Sequence, residues 1–172
     1  DNALDMAIEG RGYFQILRPD GSLGYSRDGT FQLDAQGQMV TSSGYLLQPA
    51  ITIPNNAQSV TIGSDGVVSV VEPGNTAPTQ VGTVQLADFI NPSGLQAMGH
   101  NLFQETGSSG APQLGNPGVG GLGAINQGSL ETSNVNVVEE MVNMIETQRA
   151  YEINSKAIAA SDQMMQYINN NL

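Results

Sequence analysis

Apolar residues recur along this chain with two different periods, and the change between them divides it. In the first half they come in short runs punctuated by Gly, Pro, Asp and Ser, the pattern of strands joined by tight turns. These runs predict strands at 13–17 and 23–26 across Pro19-Asp20-Gly21, and a third at 30–33 after Asp28-Gly29, with Phe31 and Leu33 on one face. A pair at 38–40 and 45–47 brackets Ser43-Gly44, an extended segment at 50–53 lies between Pro49 and Pro54, and 60–62 and 67–71 flank Ser64-Asp65-Gly66. One further strand is expected over 81–90, where Val84 and Leu86 are in phase. Residues 95–103 fit either regular state, and 107–128 holds eight Gly, a loop that builds little core unless its neighbours order it.

From Ser133 the period lengthens. Val137, Met141, Met144, Gln148, Tyr151, Ser155, Ile158, Asp162, Met165, Asn169 and Leu172 step alternately by four and three, and Val138, Val142, Ile145, Ala157 and Ile168 widen the stripe. Asn136 is the expected N-cap. Glu139 completes a capping box with it, and Glu139 and Glu140 together suit the positive end of the helix dipole. No Gly or Pro follows Asn136, so about 35 residues run as one helix of roughly 50 Å. The expected fold is mainly β with a long C-terminal α-helix. A turn-rich β meander or partly open barrel fills 1–132, and a coiled-coil-type helix fills 133–172.

Composition narrows the function. A length of 172 residues suits one β domain carrying an extended helix better than two globular halves. The net charge of −11 divides as −7 before residue 131, three basic against ten acidic residues, and −4 from there on, two against six. Five Lys and Arg in all form no basic stripe, which argues against nucleic acid and against an anionic membrane surface. No apolar run is long enough to span a membrane. With no Cys there are no disulfides and no thiolate metal sites, which suits work outside a reducing cytosol. The chain starts without Met and its first residues form no signal peptide, so residue 1 is not expected to be the biological start.

Candidate chemistry is thin. His100 is the sole His and reads as a surface residue rather than a proton shuttle. Ser108-Ser109-Gly110 has no nucleophile elbow and no base. Asp20, Asp28, Asp34 and Asp65 sit beside turn residues, where Asp stabilises local backbone more often than it binds calcium or serves a glycosidase. Gly118-Val119-Gly120-Gly121-Leu122-Gly123 follows no convincing strand, so it reads as a loop rather than a dinucleotide site. The four helix methionines Met141, Met144, Met164 and Met165 read as interface packing rather than a promiscuous peptide site, and Glu146, Arg149, Glu152 and Lys156 as a solvated face of helical pairs. No catalytic residue, metal or cofactor is expected.

Several blocks resemble a known family. Leu4-Asp5-Met6-Ala7-Ile8-Glu9-Gly10-Arg11-Gly12-Tyr13-Phe14 is similar to the start of the outer domain of bacterial flagellar rod and hook proteins. Arg27, Asp28, Gly29 and Phe31, with Asp34 and Gly37, look like that family's β signature. Ser133-Asn134-Val135-Asn136, Glu139, Met144-Ile145 and Gln148-Arg149-Ala150-Tyr151-Glu152 resemble its C-terminal axial helix. Gln48-Pro49-Ala50-Ile51-Thr52-Ile53-Pro54 and Ala87-Asp88-Phe89-Ile90-Asn91-Pro92-Ser93-Gly94-Leu95 resemble the distal-rod branch.

The resemblance implies a non-enzymatic structural subunit of the flagellar basal body, exported by the flagellar apparatus without a cleaved signal peptide. It implies a homo-oligomeric helical polymer spanning the periplasm, a hollow drive shaft carrying motor torque, with proximal rod and hook proteins and the surrounding P and L ring proteins as partners. The helix residues Val137, Val138, Met141, Val142, Met144, Ile145, Gln148, Tyr151, Ile158, Met165 and Ile168 then become the expected assembly interface. A proximal rod or hook subunit, an extracellular glycan- or peptidoglycan-binding module and a carboxylate hydrolase remain open at this point.

Overall fold

The computed structural model describes residues 2–74, 77–131 and 137–170, with the helix side chains described from 138 to 166. In chain order the strands are β1 (Met6–Glu9), β2 (Tyr13–Leu17), β3 (Leu23–Ser26), β4 (Phe31–Leu33), β5 (Met39–Thr41), β6 (Leu46–Gln48) and β7 (Ser59–Ile62). They continue as β8 (Val67–Val71), β9 (Thr79–Thr83), β10 (Leu86–Asp88), β11 (Gln96–Gly99), β12 (Leu102–Gln104), β13 (Gln113–Gly115) and β14 (Ala124–Gln127), before the helix α1 (Val137–Asn170). The chain forms two compact units, residues 1–131 and 132–172. The first is all β and the second is the helix, so the protein is mainly β with one long C-terminal α-helix.

Strand β2 organises the first unit. One of its edges pairs with β3, from Phe14 opposite Ser26 to Leu17 opposite Leu23. Its other edge is shared, with Tyr13 and Phe14 against β10 and Gln15 to Leu17 against β6. A strand hydrogen-bonded on both edges and covered on both faces must be apolar both ways. Accordingly Phe14 and Ile16 enter the main core with Phe31, Leu47, Ile51, Val68 and Leu86. Tyr13, on the opposite face, packs against a smaller cluster of Tyr25, Ala87 and Phe89. That second cluster is held edge to face, with ring centroids 4.8 Å apart for Tyr25 and Phe89 and 5.9 Å for Tyr13 and Phe89. Burial there pushes the Tyr25 phenol up from its ordinary value, against a hydrogen bond from Gln15 that favours ionisation. The nine-stranded sheet runs β11-β12-β3-β2-β6-β5-β4, with β10 and β13 branching from β2, and it stays open at β11 and β4.

Two expectations need correction. The segment 81–90 is two strands in two sheets: β9 joins β8 and β7, and the chain then crosses to the large sheet as β10. Val84 marks the crossing, buried and donating its N–H to the Gly66 carbonyl at 2.8 Å. Phe31 and Leu33 lie on one side of β4, as i and i+2 of a strand do, but β4 is an edge strand, and Phe31 is fully buried while Leu33 is 41% exposed. The glycine-rich stretch contains two strands, β13 on β10 and β14 on β1. Glycine is needed there because backbones touch: a Cβ on Gly123 would meet the Glu9 carbonyl, and Gly123 donates to the Arg11 carbonyl at 2.7 Å. The segment 95–103 is the hairpin β11–β12, turned by His100 and Asn101 at φ 52° and 58°, the positive-φ pair of a type I′ connection.

The meander is pinned at its start by Gly29. Its carbonyl accepts from the Met6 N–H at 3.0 Å, and a Cβ on Gly29 would collide with the Met6 carbonyl. Gly29→Ala should therefore destabilise the protein by about 1–3 kcal/mol, as overpacking against fixed backbone does. Gly107→Ala, where a Cβ meets nothing within 4 Å, should stay within about 0.5 kcal/mol. Thermal unfolding of the two variants checks the contrast, and equal losses would contradict it.

Candidate functional site

The turn from Ser26 to Thr30 carries several of the polar contacts that join distant parts of the β unit. The Ser26 hydroxyl accepts from the Asp28 N–H at 3.0 Å and donates to the Asn101 carbonyl at 2.9 Å. One Asp28 oxygen accepts from the Thr30 N–H at 3.0 Å and the other from the Asn101 amide at 3.2 Å. Partial burial opposes ionisation of Asp28, but the bonds from Thr30 and Asn101 outweigh it and hold this carboxyl below the ordinary Asp range. Asp28 thus ties the β3–β4 turn to the β11–β12 hairpin.

Arg27, 29% exposed at its side chain, points the other way. Its Nη2 donates to the Ile8 carbonyl at 3.0 Å, and its Nη1 to the Gly10 and Gly12 carbonyls at 2.8 and 3.1 Å. Its Nε completes the set with the Glu131 carboxylate at 2.8 Å. Gly10 and Gly12, at φ 124° and 131°, bend the chain between β1 and β2 so that these carbonyls converge; no residue with a Cβ adopts such angles easily. The family resemblance places Arg27 in a signature, whereas Glu131 stands in no motif of the sequence. The pair lies 104 residues apart, and only the fold reveals it.

The remaining signature residues do local work. Phe31 packs edge-on to Phe14 with centroids 5.2 Å apart. One Asp34 oxygen accepts from the Gln36 and Gln38 N–H groups, both at 2.8 Å. Gly37, at φ 79°, leaves room for the Ile53 carbonyl. Asp20 and Asp65 likewise accept from the N–H two residues on, at 2.9 and 3.1 Å. Bonds from Ser22, helped by Arg18, hold the Asp20 carboxyl low. All four turn aspartates are engaged by backbone N–H groups. His100 is an exposed turn residue beside Ser26, Asp28 and Tyr45. Among the described residues no group of His, Asp and Glu is placed to hold a metal ion.

The helix has the opposite character. It is unbroken over 34 residues, with Glu139 and Glu140 in its first turn. Asn136, the expected cap, lies outside the described residues, as do the side chains of Val137 and Ile168. Of the expected interface, Val138, Met141, Val142, Met144, Ile145, Gln148, Tyr151, Ile158 and Met165 are all exposed, Met141 at 61%, Ile145 at 50%, Tyr151 at 78% and Met165 at 67%. Gln148, Ser155 and Asp162 interrupt this row of exposed apolar side chains. No helix among the described residues is long and apolar enough to cross a membrane.

Comparison with known proteins gives two family matches, the flagellar hook protein FlgE/F/G D1 domain over residues 7–70 and the flagellar basal body rod FlgEFG protein C-terminal region over 126–171. The flagellar basal-body rod protein FlgG of Buchnera aphidicola is 55% identical over 166 residues, 96% of this chain and 64% of its own length. FlgG of Caulobacter vibrioides is 51% identical over 166 residues, covering 96% and 63%, and that of Bacillus subtilis 43% over 173 residues, covering 97% and 64%. The flagellar hook protein FlgE of Borreliella burgdorferi matches only 50% of this chain and 20% of its own, at 44% identity. The chain spans a little under two thirds of the length of these rod relatives.

Two outcomes follow from the turn geometry. Arg27→Lys keeps the charge but loses the planar fork, so it should lower stability by about 2–3 kcal/mol, while Glu131→Gln, at a partly exposed pair, should cost about 0–1 kcal/mol. Denaturant midpoints of the two variants check this. Because the Asp28 carboxyl is held low when folded, its contribution is complete above the ordinary Asp value of about 4 and is lost as pH falls through the lowered folded value. Asp28→Asn should therefore be less stable at neutral pH and show a shallower loss of stability below about pH 4, measured by unfolding across an acid series.

Proposed function

This chain belongs to the flagellar basal-body rod proteins, and from that membership we propose that it is a structural subunit of the distal rod that polymerises helically into the shaft carrying motor torque to the hook. The observation that carries the reading is the contrast between its two units. In the β unit the conspicuous polar side chains are engaged in its own turns, whereas the helix offers a long row of exposed apolar side chains. A continuous hydrogen-bonded helix transmits load along its axis, and burial of its apolar side chains against neighbours resists slip. Rigidity is the work, and no reaction is assigned to the protein.

The partners on this reading are further copies of the chain, the proximal rod and hook proteins at its ends, and the ring proteins around it. Its place is the periplasm-spanning part of the basal body, reached through the flagellar export apparatus without a cleaved signal peptide. A hook subunit is not favoured, because the hook relative matches half of the chain while the rod relatives match nearly all of it. A peptidoglycan-binding module is not favoured either, since the turn aspartates are engaged by their own backbone.

A charge placed in a packed helix interface must be desolvated without a partner. Ile145→Asp in the native chain should then permit export and leave the β unit folded, but block rods beyond the proximal part and abolish swimming. Glu146→Gln, one residue away on a charged flank, should swim normally, since an exposed ion pair contributes about 0–1 kcal/mol. Basal bodies isolated from both strains check the assignment. Normal rods with Ile145→Asp and failed rods with Glu146→Gln would reverse it.

A further inference from the structure

The first and last segments of the β unit meet at one seam. Strand β1 pairs antiparallel with β14, from Met6 opposite Gln127 to Glu9 opposite Ala124. The Gly128 N–H adds one further bond, to the Asp5 carbonyl at 2.8 Å. The Gln127 side chain closes that end: its amide donates to the Ala3 and Val60 carbonyls at 2.6 and 3.0 Å, and its oxygen accepts from the Ile62 N–H at 2.9 Å. The segments that flank the pair, 2–5 and 128–131, therefore lie at the same end of it. An antiparallel pair loaded from such an end peels, because a pull that parts the two flanks reaches its cross-strand hydrogen bonds one after another.

Beyond Gly128 the chain turns back instead of running on from the seam. Gly128 stands at φ 71°, a left-handed angle suited to a reversal. Glu131 then meets Nε of Arg27 at 2.8 Å, on the same guanidinium whose Nη2 holds the Ile8 carbonyl at 3.0 Å. These nitrogens belong to one rigid plane, so the Glu131 carboxylate lies near Ile8. Ile8 is three residues along β1 from Asp5, roughly 10 Å at the rise of a strand. Arg27 is anchored in turn on the Gly10 and Gly12 carbonyls. We propose that residues 129–131 are a strap: locked by Glu131 on Arg27, it passes load from the chain beyond 131 to the β1–β2 bend and keeps it off the open end of the seam. The lock is a charge-assisted hydrogen bond, roughly twice as strong as a neutral one, and the three carbonyls behind it share what it transmits. A partly exposed ion pair adds little to overall stability, but here its position decides which part of the unit opens first. The strap works within one chain and stands whether or not the chain builds a shaft.

Because the chain has no Cys, handles for optical tweezers can be placed at will, by Ser43→Cys on the exposed β5–β6 turn and Thr132→Cys at the next position after the strap. Pulled between them, the whole chain with its strap intact should open in one step. Adding Glu131→Ala should introduce a first, shorter opening at lower force, the release of residues 124–131, about eight residues or roughly 25 Å of extended chain. That opening should stop at Gly123, which the Arg11 carbonyl holds. Hydrogen exchange gives a second reading without load. In Glu131→Ala the Gly128 amide should exchange faster by the same factor as the global unfolding constant rises, because its release requires the strap to open. The Gly21 amide, bonded to the Arg18 carbonyl in a distant turn, should keep its rate. An identical single step at the same force with and without Glu131, a short first opening already present in the strapped chain at the same force, or an unchanged Gly128 amide would each overturn the proposal.

Discussion

One guanidinium closes the β unit. The Arg27 side chain takes three backbone carbonyls from the bend between β1 and β2 and a carboxylate from the far end of the unit. Only Arg presents enough donors in a rigid plane to serve four acceptors that approach from different directions. Those acceptors converge because Gly10 and Gly12 hold angles that turn their carbonyls inward. The same turn offers Asp28 to the β11–β12 hairpin on its other side. Two neighbouring residues of opposite charge thus tie the β1–β2 bend and the β11–β12 hairpin to one short loop, and β2, whose partner β3 leads into that loop, is the strand around which the nine-stranded sheet is assembled.

What the sequence made legible follows the range of the interactions. The strands 13–17 and 23–26 were readable because Pro19-Asp20-Gly21 is a local turn, with Gly21 at φ 81° and Asp20 accepting from Ser22. The hairpin around Asp65-Gly66 was readable for the same reason. The helix was readable because its period persists for ten turns without Gly or Pro. The pairing of β1 with β14 was not, since Ile8 and Ile125 meet across more than a hundred residues and neither segment alternates clearly. Nor could alternation reveal that 81–90 divides between two sheets, because Val84 and Leu86 stay in phase across the division and only the location of the partner strands differs. At the turn itself, Asp28 and Asp34 could be read as turn residues, whereas the link from Arg27 to Glu131 belongs to the tertiary fold alone.

The two units answer the problem of surface in contrary ways. The β unit covers small cores on both faces of β2 and spends its charged groups on its own loops. All three of its Arg residues have carboxylate partners, Asp88, Asp20 and Glu131, at 3.0, 3.2 and 2.8 Å. Among the described residues the helix leaves its methionines and isoleucines exposed. Met is suited to an exposed contact surface, since its flexible thioether side chain adapts to partners of slightly different shape.

The close approach of Gly10 and Gly123 orders events in time as well as in space. Strand β1 opens the unit and can find its partner only when β14 is present, and Arg27 finds its carboxylate only when Glu131 has followed. Contacts so distant in sequence make folding slow, because a long loop must close before they reward it. A chain delivered end first can form its local hairpins early, but it can close β1 on β14 and seat Arg27 on Glu131 only when nearly the whole β unit has emerged.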